Sequence, residues 1–300
     1  AVNDTALVHM AHTYLRYSGD CAWLNKVVEG ATILDRLESH ARRWRVLDKN
    51  GHGLADCGNG WNCGDGLTTW VHETAGFNAA WVAALRQVAE MREIRGEGAR
   101  SAALLQEAAL LLNNVRNLYA AGEGFWHARM PDGSLVPTRL LYDLLSIGEN
   151  IPQDLSAAQK AEILGFFEKD LRTETWVRGL SQWDDDSIRS YRPDWAWTGS
   201  YGAFPAMALT ALRNLGASGE PLAPWLDRVA LATLQGPIGQ THLVESFGET
   251  IHGGARKALI GAWSMIASAA FPAAIVETMF GAKATLQGGL AWNGFWALND

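Results

Sequence analysis

The segment at residues 181–202 combines carboxylates with aromatic rings. It reads SQWDDDSIRSYRPDWAWTGSYG, in which the consecutive acids Asp184, Asp185 and Asp186 stand among tryptophan and tyrosine residues. Aromatic faces stack on the apolar faces of sugar rings. A carboxyl group held against an indole has its charged form destabilised, which raises its pKa toward that of a general acid. The combination is typical of a cleft that cleaves glycosidic bonds, and the plainer alternative is a solvated acidic loop beside core aromatics.

A second group of carboxylates lies in residues 240–254. Glu245 and Glu249 are four positions apart there, with His242 and His252 nearby. Cleavage of a glycosidic bond needs two carboxyl groups across the bond, one to protonate the leaving oxygen and one to activate water or attack the sugar. The two segments supply one candidate each. The plainer interpretation of the second segment is a set of capping residues before a helix.

Two earlier segments carry candidate substrate-binding groups. Residues 48–56 form a glycine-rich turn that would direct Asp56 and Trp61 into a cleft. Glu73 opens a strongly apolar helical pattern that also contains Asn78. Because a helix dipole favours a carboxylate near the N-terminus, Glu73 has a structural explanation beside a role in binding sugar hydroxyls.

Metal and nucleophile motifs are incomplete. Residues 48–59 look like a calcium loop in their first six positions, but Asn59 stands where a bidentate Glu is needed. His242, His252 and Glu245 could bind zinc, yet HExxH is absent. GxSxG, GxGxxG and the GKS/T phosphate loop are also missing. The sequence therefore predicts neither a metal nor a cofactor.

The composition is that of an ordinary globular chain. Of 300 residues, 48% are hydrophobic and 19% charged, and the formal net charge is −7. With no basic run, nucleic acid and an anionic membrane are poor partners, and a carbohydrate substrate is expected. No apolar stretch of about 18 residues lacks a polar interruption, so no membrane span is predicted. Fourteen tryptophans suit both a core and a sugar site.

Cysteine use and the chain start leave the compartment open. Cys21, Cys57 and Cys63 are odd in number, which excludes a fully paired disulfide framework. Cys57 and Cys63 could bridge a loop, and all three are interpreted as structural. The sequence starts at Ala1 without Met, so a removed signal peptide and a start within a longer protein both fit. We expect a soluble protein, either cytoplasmic or exported.

Helical periodicity dominates the chain, and residues 1–300 are treated as a single catalytic domain. Helices are predicted at 4–18, 20–43, 68–94, 99–120, 137–147, 155–171, 205–214, from Pro221 or Pro224 to 234, and at 253–280. A hairpin is predicted between Gly122 and Gly133. Short turns alternate with long polar-aromatic loops, which favours an α/α barrel whose inner helix N-termini and long loops form one open mouth.

Five stretches of the chain resemble the six-hairpin, (α/α)6 glycosidases, a group that includes trehalases, processing α-glucosidases, glycogen-debranching enzymes and α-L-rhamnosidases. Residues 48–56 look like the DxDGDGxxD turn, 73–78 like the ET-x-G-x-N helix start, 181–191 like the SGxD…RY loop that carries the general acid, 198–205 like the approach to the next inner helix, and 280–292 like the closing segment.

The resemblance implies an all-α (α/α)6 toroid and an inverting glycoside hydrolase. It implies Asp184 as the acid, with Asp185 and Asp186 as close alternatives, and Glu245 or Glu249 as the base. In this hypothesis the residues that stack on sugar rings or bind hydroxyls are Asp56, Trp61, Glu73, Trp183, Arg189, Trp195, Trp197 and His242.

Two features depart from that group, and two other functions stay open. The chain has fewer predicted helices than a complete (α/α)6 barrel, so the barrel is either trimmed at its N-terminus or reduced. Three consecutive aspartates replace one aspartate followed by small polar residues. A polysaccharide lyase on the same scaffold would use Tyr191, Tyr201 or His242 as its base. A non-catalytic carbohydrate-binding protein would use the carboxylates only as hydrogen-bonding groups.

Overall fold

The computed structural model describes residues 2–59, 67–174, 176–187, 199–201, 203–234, 246–248, 257–260, 273–286 and 289–292. Helices make up most of these ranges. The α-helices are α1 Val2–Ser18, α2 Ile33–Ala41, α3 Trp44–Leu47, α4 Ala75–Ile94, α5 Gly98–Arg116, α6 Leu141–Asn150, α7 Ala157–Phe166, α8 Phe204–Asn214 and α9 Gly219–Leu234. Short 3-10 helices lie at Cys21–Asn25 and Pro152–Asp154, and π-helical turns at Phe167–Leu171 and Ala274–Met279.

The strands are short and form small antiparallel sheets. They are β1 Val27–Val28, β2 Ala31–Thr32, β3 Tyr119–Ala120, β4 Phe125–Arg129, β5 Leu135–Thr138, β6 Gly199–Tyr201, β7 Ser246–Gly248, β8 Lys257–Ile260, β9 Ala282–Ala284 and β10 Leu290–Trp292. The sheets pair β1 with β2 and β9 with β10, and the two larger ones have the orders β3-β4-β5 and β6-β7-β8.

Helix α4 lies at the centre of the packing because its sequence is apolar on nearly every side. Trp81, Val82 and Leu85 on this helix have no exposed surface. The helix packs against α1, α2, α5 and α6, and α6 packs in turn against α8. Helices α4, α6 and α8 are thus inner helices. The helix that follows α4 is amphipathic and leaves Leu105 and Leu110 exposed, as expected on an outer layer.

Local capping residues explain several helix starts. Thr32 accepts a hydrogen bond from the backbone N–H of Asp35 at the start of α2. Ser156 and Gln159 form a capping box at the start of α7. Helix α4 lacks such a local cap, since the side chain of Thr74 makes no capping bond. Its first turn therefore depends on a group from elsewhere in the chain.

The close packing of α6 on α8 depends on Gly148. A Cβ atom at this position would lie 2.8 Å from Cβ and 3.0 Å from Cα of Ala211. We expect Gly148→Ala to lower the free energy of unfolding by about 1–3 kcal/mol, because the two helices must separate. Gly165 on α7 is the matched control, since a Cβ there meets no atom within 4 Å. Gly165→Ala should raise the free energy of unfolding by about 0.4–1 kcal/mol.

Urea unfolding of both glycine variants and the wild type measures this difference. A Gly148→Ala protein as stable as the Gly165→Ala protein would contradict the tight contact between α6 and α8.

The helix predicted over residues 20–43 is wrong in its first half. A 3-10 turn is followed there by the β1–β2 hairpin, and α2 begins only at Ile33. The hairpin turn holds Glu29 at φ 48° and Gly30 at φ 82°, a left-handed backbone that ends a helix. The β-branched residues at 27 and 28 also favour a strand.

Other predicted boundaries shift for tertiary reasons. The helix predicted at 68–94 begins at Ala75, because residues 68–74 form tertiary hydrogen bonds. The helix predicted at 137–147 begins at Leu141, after β5. The hairpin predicted between Gly122 and Gly133 is confirmed by the pairing of β4 with β5. A continuous helix over 253–280 is wrong, since β8 occupies Lys257–Ile260.

Two further observations concern the membrane and the thiols. Within the described ranges, no helix combines the length and the apolar character that crossing a bilayer requires. Cys57 is disulfide-bonded, and Cys21 carries a partly buried free thiol.

Candidate active site

The candidate residues gather where the chain approaches the inner helices α4 and α6. Glu73 lies just before α4, and its backbone pairs with Arg129 at the end of β4. Leu140 at the start of α6 pairs with Leu180, which brings the triple-aspartate turn to the same place. One end of the helical layer thus receives segments that are far apart in the sequence.

The three consecutive aspartates have different surroundings. Asp184 is 2% exposed and Asp186 is 1% exposed, whereas Asp185 is exposed. The backbone forms tight turns here, with the N–H of Asp184 bonded to the carbonyl of Ser181 and the N–H of Ser187 bonded to the carbonyl of Asp184. These turns point the first and third carboxyl groups inward and the middle one outward.

Asp186 fixes the preceding loop by accepting hydrogen bonds from it. Its Oδ2 accepts from the backbone N–H groups of Thr68 at 2.6 Å and Thr69 at 2.8 Å. Its Oδ1 accepts from the hydroxyl of Thr68 at 2.6 Å. A buried carboxylate with this many donors is well satisfied, so its role is to hold the loop.

Asp184 and Asp186 both contact the hydroxyl group of Thr69. Oδ2 of Asp184 accepts from the backbone N–H of Arg139 at 2.7 Å, and its Oδ1 lies 3.0 Å from the hydroxyl oxygen of Thr69. The same hydroxyl oxygen lies 2.9 Å from Oδ2 of Asp186. A hydroxyl group has only one hydrogen to donate. The Thr69 hydroxyl therefore alternates between the two carboxyl groups as a donor, while the backbone N–H of Asp186 also donates to Oδ1 of Asp184 at 3.0 Å.

The electrostatic surroundings of Asp184 act on its pKa in both directions. Burial has the largest effect and raises the pKa of the Asp184 carboxyl, and the negative charge of Asp186 raises it further, whereas the backbone N–H donors of Arg139 and Asp186 and the hydroxyl of Thr69 lower it. Asp184 is therefore a carboxyl group that holds a proton above the usual range for aspartic acid.

Asp143 in the first turn of α6 shows the same pattern. Its Oδ1 accepts from the indole N–H of Trp70 at 2.8 Å and from the backbone N–H of Gly76 at 2.7 Å. Its Oδ2 lies 2.8 Å from the hydroxyl of Thr138, which is also 3.0 Å from the carbonyl of Trp126. Burial raises the pKa of Asp143. This carboxyl group supplies the missing cap of α4.

Three acids thus hold one short loop, and we call Asp143, Asp184 and Asp186 the acid cluster. The loop contributes Thr68, Thr69 and the indole of Trp70. A negative charge on Asp184 raises the pKa of Asp143, so ionisation of one acid disfavours ionisation of the other.

A second network lies around Glu73, which is completely buried. Its carboxylate accepts a hydrogen bond from the amide of Asn50 at 3.0 Å and one from Nδ1 of His52 at 2.9 Å. Nδ1 of His52 is thus occupied by Glu73, which leaves the Nε2 atom to form a hydrogen bond with water or a hydroxyl group. The His52 side chain is 27% exposed, so solvent reaches it.

Asp56 forms a matching pair with His72. Its Oδ1 accepts from the backbone N–H of Gly58 at 2.7 Å and lies 3.2 Å from Nδ1 of His72. His72 has φ 58°, a left-handed backbone that a non-glycine residue rarely adopts. Two backbone bonds hold it, one from Cys57 N–H and one to the carbonyl of Gly58. Strain held in this way is typical of functional sites.

Asn50 joins the two pairs, since its amide also lies 3.4 Å from Oδ2 of Asp56. We call Asn50, His52, Asp56, His72 and Glu73 the histidine cluster. Across the described part of the chain, no three His, Cys, Asp or Glu side chains are arranged to hold a metal ion. The cluster is a hydrogen-bond network in which two buried carboxylates orient two imidazole rings.

Trp183 lies on the surface, 65% exposed. It borders a cavity of about 600 Å³ that Phe125 and Arg139 also line. The guanidinium of Arg139 lies 4.7 Å from the ring centroid of Phe125, and its Nη1 donates to the carbonyl of Trp183 at 3.0 Å.

Of the predicted site residues, the structure brings Asp184 and Asp186 together and places Glu73 near Asp56. Asp185 and Trp183 are described as well, and both are exposed. The remaining candidates lie outside the described residues and stay predictions: Trp61, Arg189, Trp195, Trp197, His242, Glu245 and Glu249.

The sequence reasoning missed several members of both clusters. Asp143 is a single acid in the apolar helical stretch LYDLLSIG, a signal that could have marked it as a buried polar group. His52 lies between Asp48 and Asp56 in the sequence, and His72 directly precedes Glu73. This spacing does not indicate that His52 pairs with Glu73 or His72 with Asp56. Thr69 carried no sequence signal.

Comparison with known proteins gave matches by structure only. No protein-family model matches the sequence, and no curated protein matches it. A solved structure described as a sialidase aligns with TM-score 0.72 and 15% identity, over 98% of this chain and 27% of that one. The GH78 rhamnosidase of a Bacillus species aligns with TM-score 0.57 and 14% identity, over 92% of this chain and 26% of that one.

A third structure is more similar in length. The GH63 mannosylglycerate hydrolase from Thermus thermophilus, solved with glucose, aligns with TM-score 0.59 and 14% identity, over 88% of this chain and 73% of that one. The chain spans about a quarter of the sialidase and the rhamnosidase. At these identities the likeness shows the fold alone. The fold is similar to that of the GH78 and GH63 glycoside hydrolases, which confirms at the level of the fold the resemblance drawn from the sequence.

Proposed function

We propose that the chain is a glycoside hydrolase that cleaves its substrate with two carboxyl groups and inverts the anomeric configuration. Glycoside hydrolases among the structural neighbours support the general class. The observation that carries the proposal is the burial of Asp184 beside Asp186, which raises the pKa of its carboxyl group. A general acid must hold its proton at working pH, and burial of Asp184 has this effect.

In this mechanism Asp184 protonates the leaving oxygen of the sugar. Asp186 accepts hydrogen bonds from Thr69 and fixes it, and through it the acid. Asp185 is the weaker candidate because its carboxyl group is exposed on the outer side of the turn. The leaving oxygen must approach Asp184 at its small exposed surface, so substrate binding has to loosen one of its hydrogen bonds.

The base in this proposal is Glu245 or Glu249, as the sequence predicts. For inversion the two carboxyl groups would be about 6.5–9.5 Å apart, which leaves room for a water molecule between them and the sugar. A separation of about 5–5.5 Å would instead favour retention.

Substrate contacts come from the histidine cluster and from the predicted aromatic residues. Both oxygens of Glu73 are occupied by side chains, so Glu73 acts on a sugar hydroxyl through His52. Asp56 acts in the same way through His72. The sequence assigns ring stacking to Trp61, Trp183, Trp195 and Trp197 and hydroxyl binding to Arg189 and His242.

The proposal includes a closed barrel. Helices α1, α4, α6 and α8 and the turn at Ala274–Met279 all line one polar cavity of about 500 Å³. The first helix also contacts the C-terminal hairpin, because Nε of Arg16 donates to the carbonyl of Ala284 at 2.7 Å. Helices around a common cavity, with α1 in contact with the β9–β10 hairpin, support a toroid.

The test begins with hydrolysis of a panel of aryl glycosides and aryl uronides by the intact chain. Glu245→Gln and Glu249→Gln are then compared on the best substrate. We expect one variant to lose about 10²–10⁴-fold in kcat, because the water is no longer activated, and the other to retain most of it. Proton NMR of the first product formed shows whether the anomeric configuration is inverted.

Two outcomes would contradict this proposal. If Glu245→Gln and Glu249→Gln both retain the kcat of the wild type, neither glutamate is the base. An unsaturated product, seen by its ultraviolet absorbance, would show that the chain acts as a lyase and not as a hydrolase.

A further inference from the structure

The cavity beside Trp183 lies between the β4–β5 hairpin and α7. Its volume is about 600 Å³. The side chains that matter here are Glu123, Phe125, Arg139, Glu162, Lys169 and Trp183. It is separate from the acid cluster in its lining, since none of the three acids contributes to it.

An exposed indole forms one wall of this cavity. Trp183 leaves 65% of its surface open to solvent. A large apolar ring in water gains no hydrophobic free energy until a ligand covers it. Its main chain is fixed, because Nη1 of Arg139 bonds its carbonyl and its N–H donates to the hydroxyl of Ser181. An exposed ring on a fixed backbone is suited to stacking against the apolar face of a sugar.

Arg139 supplies directed donors to the same space. The stacking of its guanidinium over Phe125 and its bond to the Trp183 carbonyl set its orientation. No described group occupies its Nε or Nη2 atoms, which leaves N–H donors available to a ligand. Phe125 is itself fixed by an edge-on contact with Phe166, at 5.7 Å between ring centroids.

The charges around the cavity favour a neutral polar ligand. Arg139 and Lys169 face three carboxylates, those of Glu123, Glu162 and Asp170. Glu162 is held by the hydroxyl of Tyr119 and the N–H of Gly122, whereas the others form no ion pair within the described ranges. Mixed donors and acceptors with no excess of positive charge suit hydroxyl groups better than a phosphate or a uronate.

We propose that this cavity binds a neutral saccharide unit, with one sugar ring stacked on Trp183 and its hydroxyls bonded by Arg139, Lys169 and the carboxylates. The proposal takes its ligand class from the proposed function but requires no catalysis. Arg139 links the two places, because its backbone N–H bonds Asp184 while its side chain lines the cavity. The saccharide would be an additional unit of a longer glycan.

Gly165 on α7 offers a way to block the cavity without touching the stacking residues. It lines the cavity, and a Cβ there meets no atom within 4 Å. Gly165→Gln should fill the space while preserving the helix. Ala158→Gln is the matched control, since residue 158 is exposed on the same helix and does not line the cavity.

The experiment measures glycan binding by the full chain. An array of neutral gluco-, manno-, galacto- and rhamno-oligosaccharides, with oligogalacturonates as the charged comparison, identifies the best probe for calorimetry. We expect binding to a neutral oligosaccharide that weakens at least tenfold in Trp183→Ala and in Gly165→Gln, and that is unchanged in Ala158→Gln. Circular dichroism melts establish that each variant is folded. If Trp183→Ala is not folded, the affinity of Gly165→Gln decides the test.

Three results would overturn the proposal: no binding to any neutral oligosaccharide, a preference for oligogalacturonates, or unchanged affinity in Gly165→Gln. Its failure is distinguishable from that of the proposed function. Hydrolysis of a single-sugar aryl glycoside should be unchanged in Gly165→Gln, because that substrate is too short to need the cavity. The chain could bind glycans with the expected variant pattern and yet hydrolyse no substrate. In that case the cavity proposal holds and the proposed hydrolase function is wrong.

Discussion

Asp184→Asn is expected to lower kcat on an alkyl glycoside by about 10²–10⁴-fold, the usual contribution of a general acid. An alkoxide is a poor leaving group, so the bond breaks slowly unless a proton is delivered to its oxygen. The buried carboxyl group of Asp184 holds that proton, and the amide that replaces it is not acidic.

A second substrate separates this chemical role from a structural one. Fluoride leaves without protonation, so a glycosyl fluoride should be hydrolysed by Asp184→Asn with a much smaller loss. A general decrease on both substrates would mean that the substitution disturbs the site, and it would contradict the assignment of Asp184 as the acid.

The neighbouring Asp185 provides the matched control. Its side chain is exposed, so Asp185→Asn should retain the kcat and the stability of the wild type. Asp184→Asn should lose stability by about 1 kcal/mol, the net value of one hydrogen bond. Either orientation of the new amide sets an N–H against a backbone N–H, that of Arg139 or that of Asp186.

The pH profile of kcat gives the same assignment independently. The acid must be protonated to act, so activity is lost as the pH rises through the pKa of Asp184, which burial places above the usual value. Asp184→Asn should lack this alkaline decline. A variant that keeps the decline would show that another group sets it.

Periodicity identified the helices well where packing and local preference agree. Helix α4 is apolar on nearly every side, and the sequence alone predicts that it is buried. Its start was misplaced because Thr68, Thr69 and Trp70 bind acids distant in the chain, a preference that a helical window does not contain. The strand at Lys257–Ile260 was missed because alanine-rich flanks favour a helix in isolation.

The candidate site was predicted in its acids but not in their roles. The sequence marks Asp184 and Asp186, but it does not show that a turn directs both inward while Asp185 faces solvent. Asp184 and Asp186 meet at the hydroxyl of Thr69, a residue more than a hundred positions away. Such a relationship depends on tertiary contacts alone, and no local pattern encodes it.

Asp143→Ala is expected to lower the free energy of unfolding by about 3 kcal/mol, because it leaves buried donors without partners. The indole N–H of Trp70 and the backbone N–H of Gly76 would both lose their acceptor. The hydroxyl of Thr138 can still donate to the carbonyl of Trp126, so it adds little. The first turn of α4 would lose its only described cap.

Asp143→Asn is the matched variant, and its expected effect is below about 1 kcal/mol. The amide oxygen can accept from Trp70 and Gly76, and the amide N–H can donate to Thr138, as the protonated acid does. Urea unfolding measures both variants. Equal losses in the alanine and asparagine variants would contradict a protonated Asp143, since only a neutral acid is matched by the amide.

The pH dependence of stability separates the neutral acid from a carboxylate by its sign. Burial raises the pKa of Asp143 in the folded state above its value in the unfolded chain. The folded protein then binds more protons between these two pKa values, so the wild type loses stability as the pH rises through that window. Asparagine does not titrate, and the stability of Asp143→Asn relative to the wild type should therefore increase with pH there. A relative stability that decreases would mean that Asp143 is bound as a carboxylate.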